Sequence, residues 1–292
     1  MRIIFMGTPD FASESLLALI AEGYDIPLVF TKPDKPQGRG MKLRFSSVKE
    51  VCLTHGIECV QPETLKDDAC FERAAALEPD VIVVAAYGLF LSKRYLELPK
   101  YACINVHGSL LPKYRGAAPI QRAVINGETR TGVCTMHMAK AMDAGDVILS
   151  KDCEISENDT YGTLYDKLKV LGARALTETL PRIFDGSAPR IPQDEALVTF
   201  APPVTRGDVE IDWGRPAREV YNLIRGANPA PIATAWGLKI LGARLTDECA
   251  PSPSVIRCGD GNYLRITVVQ APGKKPMSAE DYLRGHKSLA GG

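Results

Sequence analysis

The sequence predicts an α/β chain in which a doubly wound, mostly parallel sheet is followed by a smaller β-barrel. Three observations predict it. Short apolar runs alternate with amphipathic stretches through the first half, the pattern of strands that return through helices. One run, Val81 to Ala86, is apolar throughout, as a strand covered on both faces must be. Beyond residue 205 the pattern changes to short β-like runs separated by Gly and Pro turns, which suits a small barrel.

The expected strands of the first sheet are Ile3 to Met6, Ile26 to Phe30, Ile57 to Val60, Val81 to Ala86, Cys103 to Val106 and Gly132 to Met138. Between them, Phe11 to Glu22, Ser47 to Gly56, Asp67 to Leu77 and Pro119 to Asn126 read as helices. A short strand pair is expected over Val147 to Ile155. One long helix then runs from Thr160 to Phe184, capped by Asn158-Asp159-Thr160, with Leu164, Leu168, Leu171, Ala175, Leu176 and Leu180 on its apolar face. The proline-rich passage from Gly186 to Pro192, with Pro202-Pro203 after it, reads as a linker. The tail offers one helix, Ala217 to Ile224, and strands at Ile232 to Trp236, Leu238 to Leu241, Ser254 to Arg257 and Tyr263 to Val269. The expected domains are therefore 1–185 and 205–292, joined by a linker at 186–204.

A length of 292 residues accommodates two domains with real cores. Lys+Arg and Asp+Glu are equal at 35 each, so no global charge announces a nucleic-acid partner. From Thr205 onward, however, 12 Lys/Arg face 9 Asp/Glu, a weak hint of a polyanion. Eight cysteines contain no Cys-x-x-Cys pair and read as reduced, buried residues. The opening Met1 to Gly7 is too short for a signal peptide, and no apolar run approaches the roughly 20 residues of a membrane span. A cytoplasmic enzyme with no metal is the expectation.

The chemistry is carried by Asn105-Val-His107-Gly-Ser109-Leu110-Leu111-Pro112 and Asp143-Ala-Gly145-Asp146. Asn105 and His107 lie at the carboxyl end of an expected strand, the edge at which open α/β sheets place ligands. Being two residues apart, they share a face. An amide can stabilise a developing oxyanion and an imidazole can move a proton, the parts needed for acyl transfer to an amine. Asp143 brought beside His107 would favour the charged imidazole and fix its tautomer. Asp146 reads equally as a turn residue. His137, between Met136 and Met138 in a strand, reads as structural.

Three further segments stand out. Gly7-Thr8-Pro9-Asp10 is either an anion-facing helix start or a tight turn with Asp10 as cap. Lys32 to Arg44 carries five cations, Lys32, Lys35, Arg39, Lys42 and Arg44, against the single acid Asp34, and reads as an exposed loop that either contacts a polyanion or is a solvated surface loop, the former being favoured. Tyr87-Gly88-Leu89-Phe90-Leu91 and Ser109 to Pro112 are apolar loops at strand ends. Such loops can wall a flat heteroaromatic ligand or serve as core lids.

Together these motifs resemble the 10-formyltetrahydrofolate-dependent formyltransferases, and most of all the branch acting on methionyl-tRNA. The likeness is carried by the two site motifs, by Ile4 to Phe11, by Pro33 to Gly40, by Tyr114 to Gln121, by Ile211-Asp-Trp213 and by Gly273 to Met277. It implies a Rossmann-like catalytic domain, an OB-like barrel that helps hold tRNA, and formyl transfer from 10-formyltetrahydrofolate to the α-amine of methionine on initiator tRNA. It implies Asn105, His107 and Asp143 as the catalytic trio, folate contacts at Tyr87, Leu89, Leu91, Ser109 to Pro112 and Asp146, and tRNA contacts at the basic segment together with Lys274 and Lys275. The chain departs from the family pattern at Ala139, Ala141, Phe45-Ser46-Ser47 and Ala230, and in a short interval from Leu245 to Gly259. A formyltransferase acting on a nucleotide-sugar amine, a hydrolase releasing formate, and a non-catalytic folate- or tRNA-binding module are the competing readings.

Overall fold

A computed structural model of the chain describes residues 1–37, 42–247 and 252–290. They form two compact units: residues 1–115, 132–153 and 166–200 make the first, and 116–131, 154–165 and 201–292 the second.

The first stretch of chain runs β1 (Arg2–Gly7), α1 (Asp10–Ala21), β2 (Asp25–Phe30), β3 (Lys35–Gln37), β4 (Lys42–Arg44), α2 (Ser47–His55), β5 (Cys59–Val60), α3 (Asp68–Ala75), β6 (Val81–Ala85), α4 (Lys93–Leu96) and β7 (Ala102–His107). It continues through α5 (Pro119–Ile125), β8 (Arg130–His137), β9 (Val147–Glu154) and α6 (Tyr161–Phe184). The main sheet has the order β5-β2-β1-β6-β7-β8-β9. Its first five strands are parallel, and β8 runs antiparallel to β7. The chain winds outward from β1 to β5, then returns to the other side of β1 at β6. Gly7 pairs with Ala85, and Ala85 with Val106, so the carboxyl ends of β1, β6 and β7 lie along one edge at the reversal of strand order, where doubly wound sheets bind ligands. The strand cores are dry: Ile3 to Met6, Val81 to Val83 and Ile104 are all buried.

The long helix forms as its sequence predicts. Thr160 Oγ1 accepts from Thr163 N at 3.2 Å, and Thr163 Oγ1 accepts from Thr160 N at 3.0 Å, a reciprocal cap that satisfies two amide groups at the helix start. Leu164, Leu168, Ala175, Leu176 and Leu180 are buried, each leucine contributing about 1.5–3 kcal/mol. Two expectations change. The expected strand pair over Val147 to Ile155 is one strand, Val147–Glu154, in which Ser150, Asp152 and Glu154 are the exposed alternate positions of an edge strand. The basic segment is not simply a loop, because β3 and β4 pair antiparallel, Lys35 opposite Arg44 and Pro36 opposite Leu43. Proline at an edge concealed the pairing.

The proline-rich passage also has more structure than a free tether. Ile191 pairs with Val147, a 3-10 turn covers Glu195–Leu197, and residues up to 200 belong to the first unit.

In the second unit α7 (Ala217–Gly226) precedes β10 (Ala233–Ala235), β11 (Leu238–Thr246), β12 (Val255–Arg257), β13 (Tyr263–Gln270), β14 (Met277–Ser278) and α8 (Ala279–Leu283). The antiparallel order is β10-β11-β13-β12, with β14 beside the other half of β13. This curved half-barrel closes over Val220 and Ile224 of α7 with Ile240, Leu264, Ile266 and Val269.

Candidate active site

β7 is gripped on both sides, Asn105 pairing with Val84 of β6 and Met136 of β8, so its backbone has little freedom. Asn105 and the terminal His107 project from the same face. Asn105 is half-buried, and His107 is 6% exposed.

Two groups flank the imidazole. Nε2 lies 2.9 Å from the Tyr114 carbonyl oxygen. A carbonyl only accepts, so Nε2 carries the proton and donates it. Nδ1 faces Asp143 Oδ2 at 3.7 Å, beyond direct hydrogen-bond range but close enough for strong attraction when the ring is charged. The sequence expectation is corrected on one point: a backbone carbonyl, not the carboxylate, sets the tautomer. Nδ1 is left without that carbonyl and faces the carboxylate side.

Both flanking residues have left-handed backbones, Tyr114 at φ 61° and Asp143 at φ 51°. Such conformations cost about 1–3 kcal/mol in a bulky residue and persist only where neighbours enforce them. The enforcers are visible. His137 N donates to Asp146 O at 2.9 Å, closing the Asp143 turn, and a Cβ on Gly145 would overlap the His137 carbonyl. Gln193 Nε2 donates to the carbonyls of Asp143 and Gly145 at 2.8 and 2.7 Å. Tyr114 N donates to Thr199 Oγ1 at 2.9 Å. Arg115, 5% exposed, donates from Nε to Gln193 Oε1 at 3.0 Å and forks onto Glu195. Its guanidinium holds the Glu195 carboxyl below the usual range, against opposing desolvation. Gln193, Arg115 and Thr199 escape sequence reasoning because two lie in the presumed linker. The only signal is the Tyr114-Arg115 pair inside a family-like motif.

Asp146 is half-buried, its Oδ2 3.6 Å from Arg190 Nη1. His137 pairs with Ile104, out of step with Asn105, and so points to the other face. Burial lowers its pKa, Arg190 adds to this and Asp146 opposes it, as befits a structural, neutral ring.

The apolar loops divide. Tyr87, 1% exposed, and Leu91 are built into the core with Ile4, Met6 and Phe30, and burial pushes the Tyr87 phenol up. What this segment can offer a ligand is backbone, half-buried Leu89 and exposed Phe90. Ser109 is buried and its hydroxyl donates to Lys113 O at 2.7 Å. Leu110, Leu111 and Pro112 are half-buried at the end of β7, an apolar shelf beside His107.

Among the basic residues, Lys35 and Arg44 are exposed and directly opposed on the hairpin, an arrangement that disfavours the strand pair by itself. Asp34 does not relieve it. Its carboxylate is turned to Lys49 Nζ at 2.5 Å and Gln61 Nε2 at 2.8 Å. Desolvation opposes ionisation there, but these hydrogen bonds and the Lys49 charge outweigh it and hold the carboxyl below its usual range. Lys32 is half-buried, with its ammonium against Gly88. Arg39 and the side chain of Lys42 lie outside the described residues. In the second unit Lys274 and Lys275 are exposed on the turn between β13 and β14. At the family-atypical Phe45-Ser46-Ser47, Ser46 caps α2 by accepting from Lys49 N at 3.1 Å.

Among the described residues no cluster of three His, Cys, Asp or Glu side chains is arranged to hold a metal ion, and no helix is long and apolar enough to cross a membrane.

The doubly wound sheet presents an amide and an imidazole at its carboxyl edge with a carboxylate opposite, groups able to serve transfer chemistry. The formyl transferase model matches residues 1–180 and the formyl transferase C-terminal domain model residues 203–287, and the chain belongs to the formyl transferase family. It is 47% identical to the methionyl-tRNA formyltransferase of Moorella thermoacetica, over 100% of this chain and 98% of that one. It is 46% identical to the methionyl-tRNA formyltransferase of Caldanaerobacter subterraneus, over 98% and 97%. Among solved structures it resembles an N-formyltransferase from Helicobacter canadensis described with folinic acid and dTDP-3-aminofucose, at TM-score 0.72 and 20% identity over 91% and 98% of the two chains. It also resembles HypX from Aquifex aeolicus, at TM-score 0.66 and 16% identity over 97% of this chain and 48% of that one. These structural likenesses speak for the fold alone.

Proposed function

We infer that this enzyme transfers the formyl group of 10-formyltetrahydrofolate to the α-amine of methionyl-initiator tRNA, giving formylmethionyl-tRNA for translation initiation. The observation that carries the choice of acceptor is the full-length likeness, at 46–47% identity, to methionyl-tRNA formyltransferases. The fold does not choose, since a structural neighbour at 20% identity is described with an amino sugar.

Asn105, His107 and Asp143 are the catalytic trio in this reading. The acceptor amine attacks the formyl carbon, forming a C–N bond and a tetrahedral oxyanion. The Asn105 amide and the protonated Nδ1 side of His107 stabilise that oxygen, because donors aimed at developing charge in a partly dry site contribute most to such reactions. Asp143, with Oδ2 3.7 Å from Nδ1, supports the imidazolium by its charge and takes up the amine proton. The bond from carbon to N10 then breaks, and tetrahydrofolate leaves with the proton.

The shelf of Leu110, Leu111 and Pro112, with Leu89 and the backbone near Tyr87, Leu91 and Ser109, has the apolar character a pterin ring needs, and Asp146 offers polar atoms at the neighbouring turn. The hairpin cations Lys35 and Arg44, with Lys32, Arg39 and Lys42 of the same segment, serve as phosphate contacts, as do Lys274 and Lys275. Residues 1–185 would form the catalytic domain and 205–292 the tRNA-binding domain, with 186–204 between them.

The test is to offer 10-formyltetrahydrofolate with methionyl-tRNA, free methionine or a nucleotide-linked amino sugar. Formylation of methionyl-tRNA alone is expected. Formylation of the sugar, or release of formate with no formylated product, overturns the reading.

A further inference from the structure

We propose that Gln193, held by Arg115, is a positioning residue for formyl transfer, and that the short segment from Gln193 to Thr199 sets both flanks of His107 at once. The proposal rests on the functional reading above.

One flank is the Asp143 turn. Gln193 uses both protons of its amide there, donating to the carbonyls of Asp143 and Gly145 at 2.8 and 2.7 Å. Those carbonyls only accept and a guanidinium only donates, so the amide has one satisfactory orientation. Its Oε1 faces Arg115 Nε at 3.0 Å. Arg115 is buried and clamped by a forked pair to Glu195, two residues along the same segment. Turning the Gln193 amide over would set N–H against N–H and oxygen against oxygen.

The other flank is the Tyr114 carbonyl, which receives the His107 Nε2 proton. Thr199 fixes that residue, accepting from Tyr114 N through Oγ1 and from Arg115 N through its carbonyl, both at 2.9 Å. One piece of chain therefore reaches the carboxylate side of the imidazole through Gln193 and the carbonyl side through Thr199, and Arg115 ties the two ends together. Both turns carry a left-handed residue, so each would relax away from His107 without its brace. Gln193 reaches Asp143 through backbone, and its effect on the reaction is one of placement. Displacing reacting groups by about 1 Å can slow a reaction roughly 100-fold.

The test compares wild type with Gln193→Leu, Gln193→Glu and Thr199→Val. Gln193→Leu keeps the bulk and removes the donors. Gln193→Glu keeps an acceptor for Arg115 and still removes the donors. Thr199→Val, at an exposed position, probes the other flank if the Gln193 variants do not fold. Each is expected to lower kcat on methionyl-tRNA by about 10- to 100-fold and to alter the shape of the pH–rate profile, with KM and melting temperature little changed. An unchanged kcat, or a loss that only scales a superimposable pH profile, overturns the proposal. If the wild-type chain formylates no methionyl-tRNA, the functional reading falls alone. The ring 15N signals of His107 then decide the placement question: signals displaced in Gln193→Leu and Thr199→Val support it, and coincident signals overturn it.

Discussion

His107 donates through Nε2 to the carbonyl of Tyr114 at 2.9 Å, and this commits the ring to one-sided chemistry. The proton on Nε2 is spoken for, and the opposite nitrogen faces Asp143 across 3.7 Å. An imidazole held in this way can cycle a proton at Nδ1 without turning over.

Replacing His107 with alanine should reduce formyl transfer by about 100- to 10,000-fold, the range for loss of a general acid–base group, while most tRNA binding and the circular dichroism of the fold persist. Single-turnover assays on the purified variant give the answer. Turnover near the wild-type rate would remove His107 from the mechanism.

Asn105→Ala should cost about 100- to 1,000-fold in kcat, as loss of an oxyanion donor does. Asn105 is half-buried on a strand gripped by both neighbours, so the fold should tolerate the change. A defect confined to KM would instead mark Asn105 as a binding residue.

The basic segment should act through charge. Replacing Arg39 and Lys42 together with alanine should weaken charged-tRNA binding and reduce the slope of log affinity against log salt by about two. Binding titrations from low to moderate salt test this, and a slope equal to that of wild type rejects the phosphate contact.

Asp34 predicts a pH dependence of stability. Its folded pKa lies below the unfolded value, so the folded state favours the ionised form. The contribution is fully present above the unfolded value of about 3.9 and fades as pH falls through the lower folded value. Urea midpoints of wild type and Asp34→Asn should therefore converge as the pH drops from 5 towards 2. Curves that stay parallel over that interval reject the assignment.

Gly145→Ala places a methyl group on the His137 carbonyl. Backbone must move to admit it, so a loss of about 1–3 kcal/mol of stability is expected, the range for overpacking, together with reduced kcat because the Asp143 turn shifts. An alanine variant with wild-type melting temperature and kcat would show the turn to be more accommodating than its geometry allows.

The strands and helices of the main sheet were legible because hydrophobic periodicity is a local signal. The run at Val81 had the composition of a doubly covered strand and became β6, and the short apolar run at Cys103 became β7. Asn105, His107 and Asp143 were legible from residue type and motif, but their meeting was not, since strand order is decided by packing across the whole chain. The hairpin of β3 and β4 was hidden by Pro36 and by the charge of its neighbours. The bracing by Gln193 and Thr199 was hidden more deeply. It consists of single side chains reaching backbone atoms roughly 50 and 85 positions away, and a proline-rich context gives no local sign of such reach.

The facing pair Lys35 and Arg44 has a thermodynamic consequence. Two cations fixed across short strands are poorly matched to each other in the free chain and well matched to a row of phosphates, whose condensed ions are set free when the protein replaces them. Association through this element should therefore release little heat, its driving force lying in the entropy of ions returned to solvent. A calorimeter would see the hairpin's part in binding as a change that is nearly silent.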